Sequence, residues 1–322
     1  MRNSTGDNYS ERLDDAARAG WLYYIAGYKQ DEIARTMGVS RQTAQRLVAM
    51  ALREKLIRIR LEHPIMRCME LADRLTRAFG LEACDVVPSA PGETSPVAGL
   101  AEAGARAMER ELSAVRGRVI AVGTGRTLRA CVEELTPMNR PDHTVVALLG
   151  HMMPGGLSTR FNVVVRLADR INAGHYPMPL PIYARSARER EVYRELDTVK
   201  QIHRLAREAE VTFVGLGNIG PDAPLLVDGL MSQKEVDSYI AAGAVGEMTG
   251  WIFNAEGRLI EGLANDRVNS VPLTRRKGRR VYCLAAGSSR VTAIRAALRG
   301  RLVNCLITNE ATAEEILALS GL

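Results

Sequence analysis

The chain has 322 residues, enough for a small module plus one large domain, or for two mid-sized ones. Its five cysteines (68, 84, 131, 283, 305) form no C-x-x-C pair and its five histidines show no ligand spacing to them, which argues against a structural zinc or a disulfide framework and implies neither metal nor cofactor. No apolar run approaches membrane-spanning length and residues 2–15 lack the apolar core of a signal peptide, so a soluble, cytoplasmic protein that does not enter membranes is expected.

In chain order, residues 1–12 are polar and expected to fray. A first helix is predicted over 13–25, with Ala16, Ala17, Trp21, Leu22 and Ile25 as its apolar stripe. Residues 30–47 read as two short helices joined by a tight turn. Ile33, Ala34, Met37, Val39, Ala44 and Leu47 would form the inner core, with Ala34 small where the helices cross and Gly38 free to take positive φ in the turn. Ser40 is placed to cap the second helix. That helix then turns Arg41, Gln42, Thr43, Gln45 and Arg46 outward, and Arg and Gln are the residues that read guanine and adenine in the major groove. Between Arg35 and Arg60, seven basic residues stand against Glu54 alone, so the net charge of +6 is concentrated there. The helix is expected to run on to about Glu54. Residues 56–61 alternate apolar and basic as a wing strand would, with Arg58 and Arg60 as phosphate contacts. An ordinary helical hairpin is the bland alternative; the agreement of cap, turn, core and readout positions points to double-stranded DNA.

His63-Pro64 marks the exit from this module, and an amphipathic helix is predicted over 65–79. After a proline-containing segment and a helix over about 97–115, the pattern becomes rhythmic. Strand-like runs at 118–123, 144–149, 211–216, 281–286 and 303–307 alternate with helical stretches, most clearly 127–135, 289–299 and 310–319. Such alternation predicts an α/β domain with a mainly parallel sheet and helices on both faces. The division expected is 1–62 for DNA binding and 63–322 for the α/β domain.

In sheets of this kind ligands bind beyond the carboxyl ends of the strands. Three such ends carry glycine turns. Gly123-Thr124-Gly125-Arg126-Thr127 offers backbone N–H groups, hydroxyls and a cation suited to a phosphate or a polyhydroxylated ligand, although a purely structural turn is an equal reading. Gly215-Leu216-Gly217-Asn218-Ile219-Gly220 has dinucleotide-fingerprint spacing, but Pro221-Asp222 delays any helix, so close backbone approach to a small ligand fits better. Ala286-Gly287-Ser288-Ser289-Arg290 could cap a helix through Ser288 or Ser289 and hold an anion with Arg290. Asn162 is either a ligand contact or a cap. Glu247, in the apolar run 244–250, is costly unless it is paired or binds hydroxyls, and a structural pair with an arginine is an open alternative.

With those motifs in this order, the chain resembles the SorC family of bacterial transcriptional regulators from Trp21 to Leu317. The parts that carry the resemblance are Val122 to Thr127, Asn162 with Leu167-Ala168, Gly215-Leu216-Gly217, Gly243 to Gly257, Ala286 to Ile294 and Leu306 to Ala313. The resemblance implies a winged helix-turn-helix followed by a Rossmann-like, three-layer domain similar to sugar-phosphate isomerases and glucosamine-phosphate deaminases. It also implies homodimers or homotetramers on palindromic operators, with a sugar, polyol or sugar-phosphate effector, and its finer leaning is towards sorbitol and mannitol operons. Carried over by position, Gly123 to Thr127 would hold a phosphate or terminal hydroxyl and Glu247 the sugar hydroxyls. Arg290 stands where many members have Lys and cannot form a Schiff base; of the five lysines only 200, 234 and 277 lie in this domain, none on a glycine turn. The alternatives are an isomerase- or deaminase-like enzyme with a DNA-binding appendage, for which Glu247 lacks an evident partner, and a recombinase.

Overall fold

The structure, a computed structural model, describes residues 4–57, 65–89, 99–152, 157–158, 161–272 and 278–321, with the backbone alone for 4–8 and 10. The chain divides into two compact units, Met1–His63 and Pro64–Leu322.

The smaller unit holds α1 (Ser4–Tyr24), α2 (Gln30–Met37) and α3 (Arg41–Arg53). One cluster joins Ala16, Ala19 and Leu22 of α1, Ile33 and Ala34 of α2, and Ala44, Leu47 and Val48 of α3. Helix α1 thus begins well before residue 13, contrary to the fraying expected. Extending a packed helix by a polar turn costs far less than nucleating one, and Tyr9 Oη donates to Glu54 Oε2 (3.4 Å) just beyond α3. Its buried stripe also differs from expectation. Ala16, Ala19 and Leu22 follow the 3.6-residue period, which leaves Trp21 and Ile25 exposed. Gly38 closes α2 in the left-handed region (φ 66°), and Ser40 Oγ accepts from Thr43 N (3.1 Å) to cap α3. Of the expected wing, Leu56 and Ile57 lie in a turn and bend; residues 58–61, with Arg58 and Arg60, lie outside the described residues.

The larger unit opens with α4 (Met66–Phe79) and β1 (Ala83–Val87), followed by α5 (Leu100–Leu112), β2 (Val119–Val122), α6 (Arg126–Glu134), β3 (Thr144–Met152), α7 (Val163–Ile171) and β4 (Gly174–Pro181). Next come α8 (Ala187–Glu195), α9 (Asp197–Glu208), β5 (Val211–Gly215), β6 (Gly217–Asn218), α10 (Pro224–Val227) and α11 (Gln233–Ala241). The hairpin β7 (Ala244–Met248) and β8 (Trp251–Asn254) leads through a 3-10 turn (Leu263–Arg267) to β9 (Arg280–Leu284). A 3-10 turn (Ser288–Arg290), α12 (Val291–Arg299), β10 (Cys305–Asn309) and α13 (Glu310–Ala318) complete the described chain.

Seven strands form one sheet in the order β1-β10-β9-β5-β2-β3-β4, and every pairing in it is parallel. The mixed α/β architecture expected is therefore present, with strand limits shifted by one to three residues. By the right-handed crossover rule α5, α6 and α7 lie on one face and α9 and α12 on the other; α6 packs on α5 and α7, and α13 packs on α12 and α4. The outer strands β1 and β4 lay outside the strand pattern read from sequence. Strand β4 contains Pro177, Pro179 and Pro181, which an edge strand tolerates because one side of its backbone has no partner strand. A second, antiparallel sheet, β6-β7-β8, was legible only as the apolar run around Glu247. Among the described residues no helix is long and apolar enough to cross a membrane.

Candidate functional site

In the smaller unit, α3 buries Ala44, Leu47 and Val48 and exposes Arg41, Gln42, Thr43, Gln45 and Arg46. Arg41 Nε lies 3.2 Å from Asp31 Oδ1, both side chains being exposed, and Thr43 Oγ1 shares a hydrogen bond with Ser40 Oγ (2.9 Å). An exposed pair of this kind is worth little and yields readily to a phosphate or a base edge. Ser40 spends its hydroxyl on the cap, so it fixes the start of α3.

In the larger unit, the strand order reverses between β2 and β5: the chain runs from β2 outward to β3 and β4, then returns to β5 and leaves the other way through β9 and β10. The ends of β2 and β5 therefore diverge into a crevice, where α/β sheets bind ligands. A cavity of about 1170 Å³ lies there. All three glycine turns reach it, through Thr124, Gly125, Arg126 and Thr127 after β2, Gly215 and Gly217 after β5, and Arg290 after β9, together with Glu247 of β7.

Three predicted residues do not line it. Gly123 continues the strand, and its N–H donates to Phe213 O (2.8 Å), so that group is not free for a ligand. Asn162 stands at the start of α7 with φ 20°, and its side chain makes no capping bond. Ser289 is exposed in the 3-10 turn, and neither it nor Ser288 caps α12. The turn spends its length on a 3-10 step, so the helix starts one residue after Arg290, with no hydroxyl at its cap.

Glu247 faces Gly217 in the β6–β7 pairing. A Cβ at residue 217 would lie 2.7 Å from Glu247 Oε1, so a glycine is what admits this carboxylate to the wall. Burial pushes Glu247 up to about 7; the Gly250 N–H, donating to Oε2 at 3.1 Å, opposes that, and Asp228 adds to it. At neutral pH the group is therefore both hydrogen-bond donor and acceptor. Thr124 Oγ1 and Thr249 Oγ1 are buried on the same wall without a hydrogen-bond partner among the described residues. Arg126 bonds Asp228 Oδ1 at 2.5 Å and stacks over Phe161, 5.3 Å from its centroid, while Arg290 donates to Ala286 O (3.0 Å). The structure thus adds Asp228, Phe161 and Thr249 to the site read from sequence. Asp228 carried no signal, because Val227-Asp228-Gly229 reads as an ordinary turn. His143, His151, His175 and His203 are absent from the described wall, so the carboxylates there have no imidazole beside them.

Residues 63–318 match the family model described as "putative sugar-binding domain". The chain is 33% identical over 302 residues to the erythritol catabolism regulatory protein EryD of Brucella abortus, covering 94% of this chain and 96% of that one. It is 26% identical to the deoxyribonucleoside regulator of Bacillus subtilis, over 95% of this chain and 98% of that one. Among solved structures, the full-length sorbitol operon regulator SorC of Klebsiella pneumoniae superposes with a TM-score of 0.72 at 25% identity, covering 94% of this chain and 97% of that one.

Proposed function

The chain belongs to the SorC-type family of transcriptional regulators with a sugar-binding domain, and from that premise we propose that a sugar, polyol or sugar phosphate in the cavity at the ends of β2, β5 and β9 controls its binding to operator DNA. Residues 1–62 bind DNA and residues 63–322 bind the effector and carry the oligomer contacts. The regulator works in the cytoplasm as a homodimer or homotetramer on a palindromic operator. Arg41, Gln42, Gln45 and Arg46 read bases, Thr43 stands beside them, and Arg58 and Arg60 contact phosphates.

The observation that carries this reading is the convergence of three glycine turns on one cavity whose walls hold unspent hydrogen-bonding groups. Thr124, Thr249 and Glu247 each offer donor and acceptor capacity, the chemistry that a chain of hydroxyls needs. Effector and operator are then linked through two conformations, and the effector shifts their populations only as far as it prefers one of them.

Footprinting of genomic fragments tests both halves together, using the full chain with and without polyols, sugars and their phosphates. The wild type should give a specific footprint that at least one ligand class strengthens or abolishes. Arg41→Ala combined with Gln42→Ala should lose it. A footprint shared by both proteins overturns the readout helix, and one indifferent to every ligand overturns the effector reading.

A further inference from the structure

Helix α8, which follows the carboxyl end of β4, carries a cluster of cations that the cavity does not use. Arg190 and Arg194 stand one turn apart on α8 and therefore share a helix face. Their Nη1 atoms lie 3.9 and 3.7 Å from one atom, Glu191 Oε1, beyond hydrogen-bond length. A single exposed carboxylate is thus shared loosely between two guanidinium groups. Arg190 also donates to Asp266 O (3.1 Å) and lies over the Trp251 ring, 5.7 Å from its centroid.

Beneath them the donors are unspent. Among the described residues, Arg190 Nε, Arg194 Nε and Trp251 Nε1 are buried donors without a hydrogen-bond partner, and Nε2 of His203, a residue only 8% exposed, is likewise unpartnered, donor or acceptor according to its tautomer. Leaving such groups unpaired costs free energy, and only the outer Nη atoms of the two arginines are left to meet an acceptor from solvent. His203 itself adds no charge: burial first, then Arg194, Arg207 and Arg190, push it down to about 4. Burial and Arg190 likewise lower Arg194, with Arg207 contributing and Glu191 opposing. Like charges are held close together here, and neither Arg190, Arg194 nor His203 lines the cavity.

We propose that Arg190 and Arg194, with Trp251 behind them, form a second binding site in the larger unit, one that takes a tetrahedral oxyanion of the phosphate or sulfate class. Two guanidinium forks present more donors than one carboxylate can accept, and an anion with three or four oxygens matches that number. Glu191, at 65% side-chain exposure, is free to swing into water as the oxyanion arrives. The oxyanion is either free in solution or the end of a small phosphate monoester.

The test is thermal unfolding of the full chain with inorganic phosphate, with sulfate and with glycerol 3-phosphate, each against chloride at equal ionic strength. Both inorganic anions should raise the midpoint beyond chloride. Arg190→Gln with Arg194→Gln should raise the half-saturating concentration about tenfold or more, and Arg190→Lys with Arg194→Lys should lose less. Arg126→Ala with Arg290→Ala, which alters the cavity alone, should keep the response. A response no larger than that of chloride, or one retained by the Gln pair and lost by the cavity pair, overturns the site. Read in the Arg126→Ala with Arg290→Ala protein, so that the cavity does not contribute, glycerol 3-phosphate half-saturating below inorganic phosphate identifies an ester as the natural ligand of this site; the reverse identifies the free ion.

Discussion

Glu111, buried beside the starts of β2 and β9, and Glu247, half-buried at the ends of β2 and β5, are two glutamates drawn into the larger unit. Glu111, 3% exposed, accepts from Arg118 Nη1 (2.7 Å), Arg280 Nη1 (2.6 Å) and Tyr282 Oη (2.8 Å). Burial pushes its carboxyl up, but Arg280, Tyr282 and Arg118 outweigh that and hold it below the ordinary carboxylate range. Among the described residues Glu247 has one backbone donor and no cation bonded to it, and burial carries it up to about 7. The same residue type is a finished joint at one end of the sheet and an open valence at the other. Saturation of partners, rather than burial, separates a structural carboxylate from one with bonds still to make.

The largest effect should come from breaking the finished joint. Glu111→Leu leaves two guanidinium groups and a buried phenol without their acceptor, and urea unfolding should show a loss of about 3–5 kcal/mol. A loss under about 1 kcal/mol would mean that the network is ornamental and the comparison false. Because the folded value lies below the ordinary 4.5, the wild-type contribution is present above that pH and disappears as pH falls through the depressed value.

Glu247 should behave with the opposite sign. Its folded value lies above the ordinary one, so the unit is most stable below about pH 4.5 in this respect and loses stability as pH rises towards 7, levelling off beyond. Glu247→Gln should remove that slope and leave the protein more stable than wild type at pH 8, by roughly 1–2 kcal/mol. A parallel pH dependence in the two proteins would contradict the raised value.

The smallest effect sharpens the contrast between hydroxyls. Tyr282→Phe removes a bonded hydroxyl and should cost about 1 kcal/mol, whereas Thr124→Val removes an unbonded one and should change the stability of the free protein by less than about 0.5 kcal/mol. Equal losses in thermal unfolding would show that Thr124 is satisfied in solution.

The features that sequence made legible are those set by local chemistry. Gly38 and Ser40 announce a turn and a cap because positive φ and an early hydroxyl are demanded by few other contexts. Glu247 stands out because a carboxylate in an apolar run must have a reason. What stayed hidden depends on the rest of the molecule. Strand β4 exists only because β3 offers it a partner, against three prolines that argue locally for a loop. Trp21 looks like core until the positions of α2 and α3 fix which side of α1 is inside. Asp228 enters the cavity through a fold of α10 that no motif records, and Ser289 misses it because a single 3-10 step turns the chain.

Strand β1 pairs along its whole length with β10, from Ala83 with Cys305 to Val87 with Asn309. During synthesis, the smaller unit has left the ribosome long before that partner is made. The larger unit cannot finish its sheet until residue 309 is free, and until then β9 is an open edge. Late closure of this kind makes folding slow and leaves the nascent chain dependent on protection from aggregation. A premature stop a few residues before β10 would therefore cost more than one strand: it would leave β1 with no partner strand, β9 with β5 alone, and the unit without a completed core.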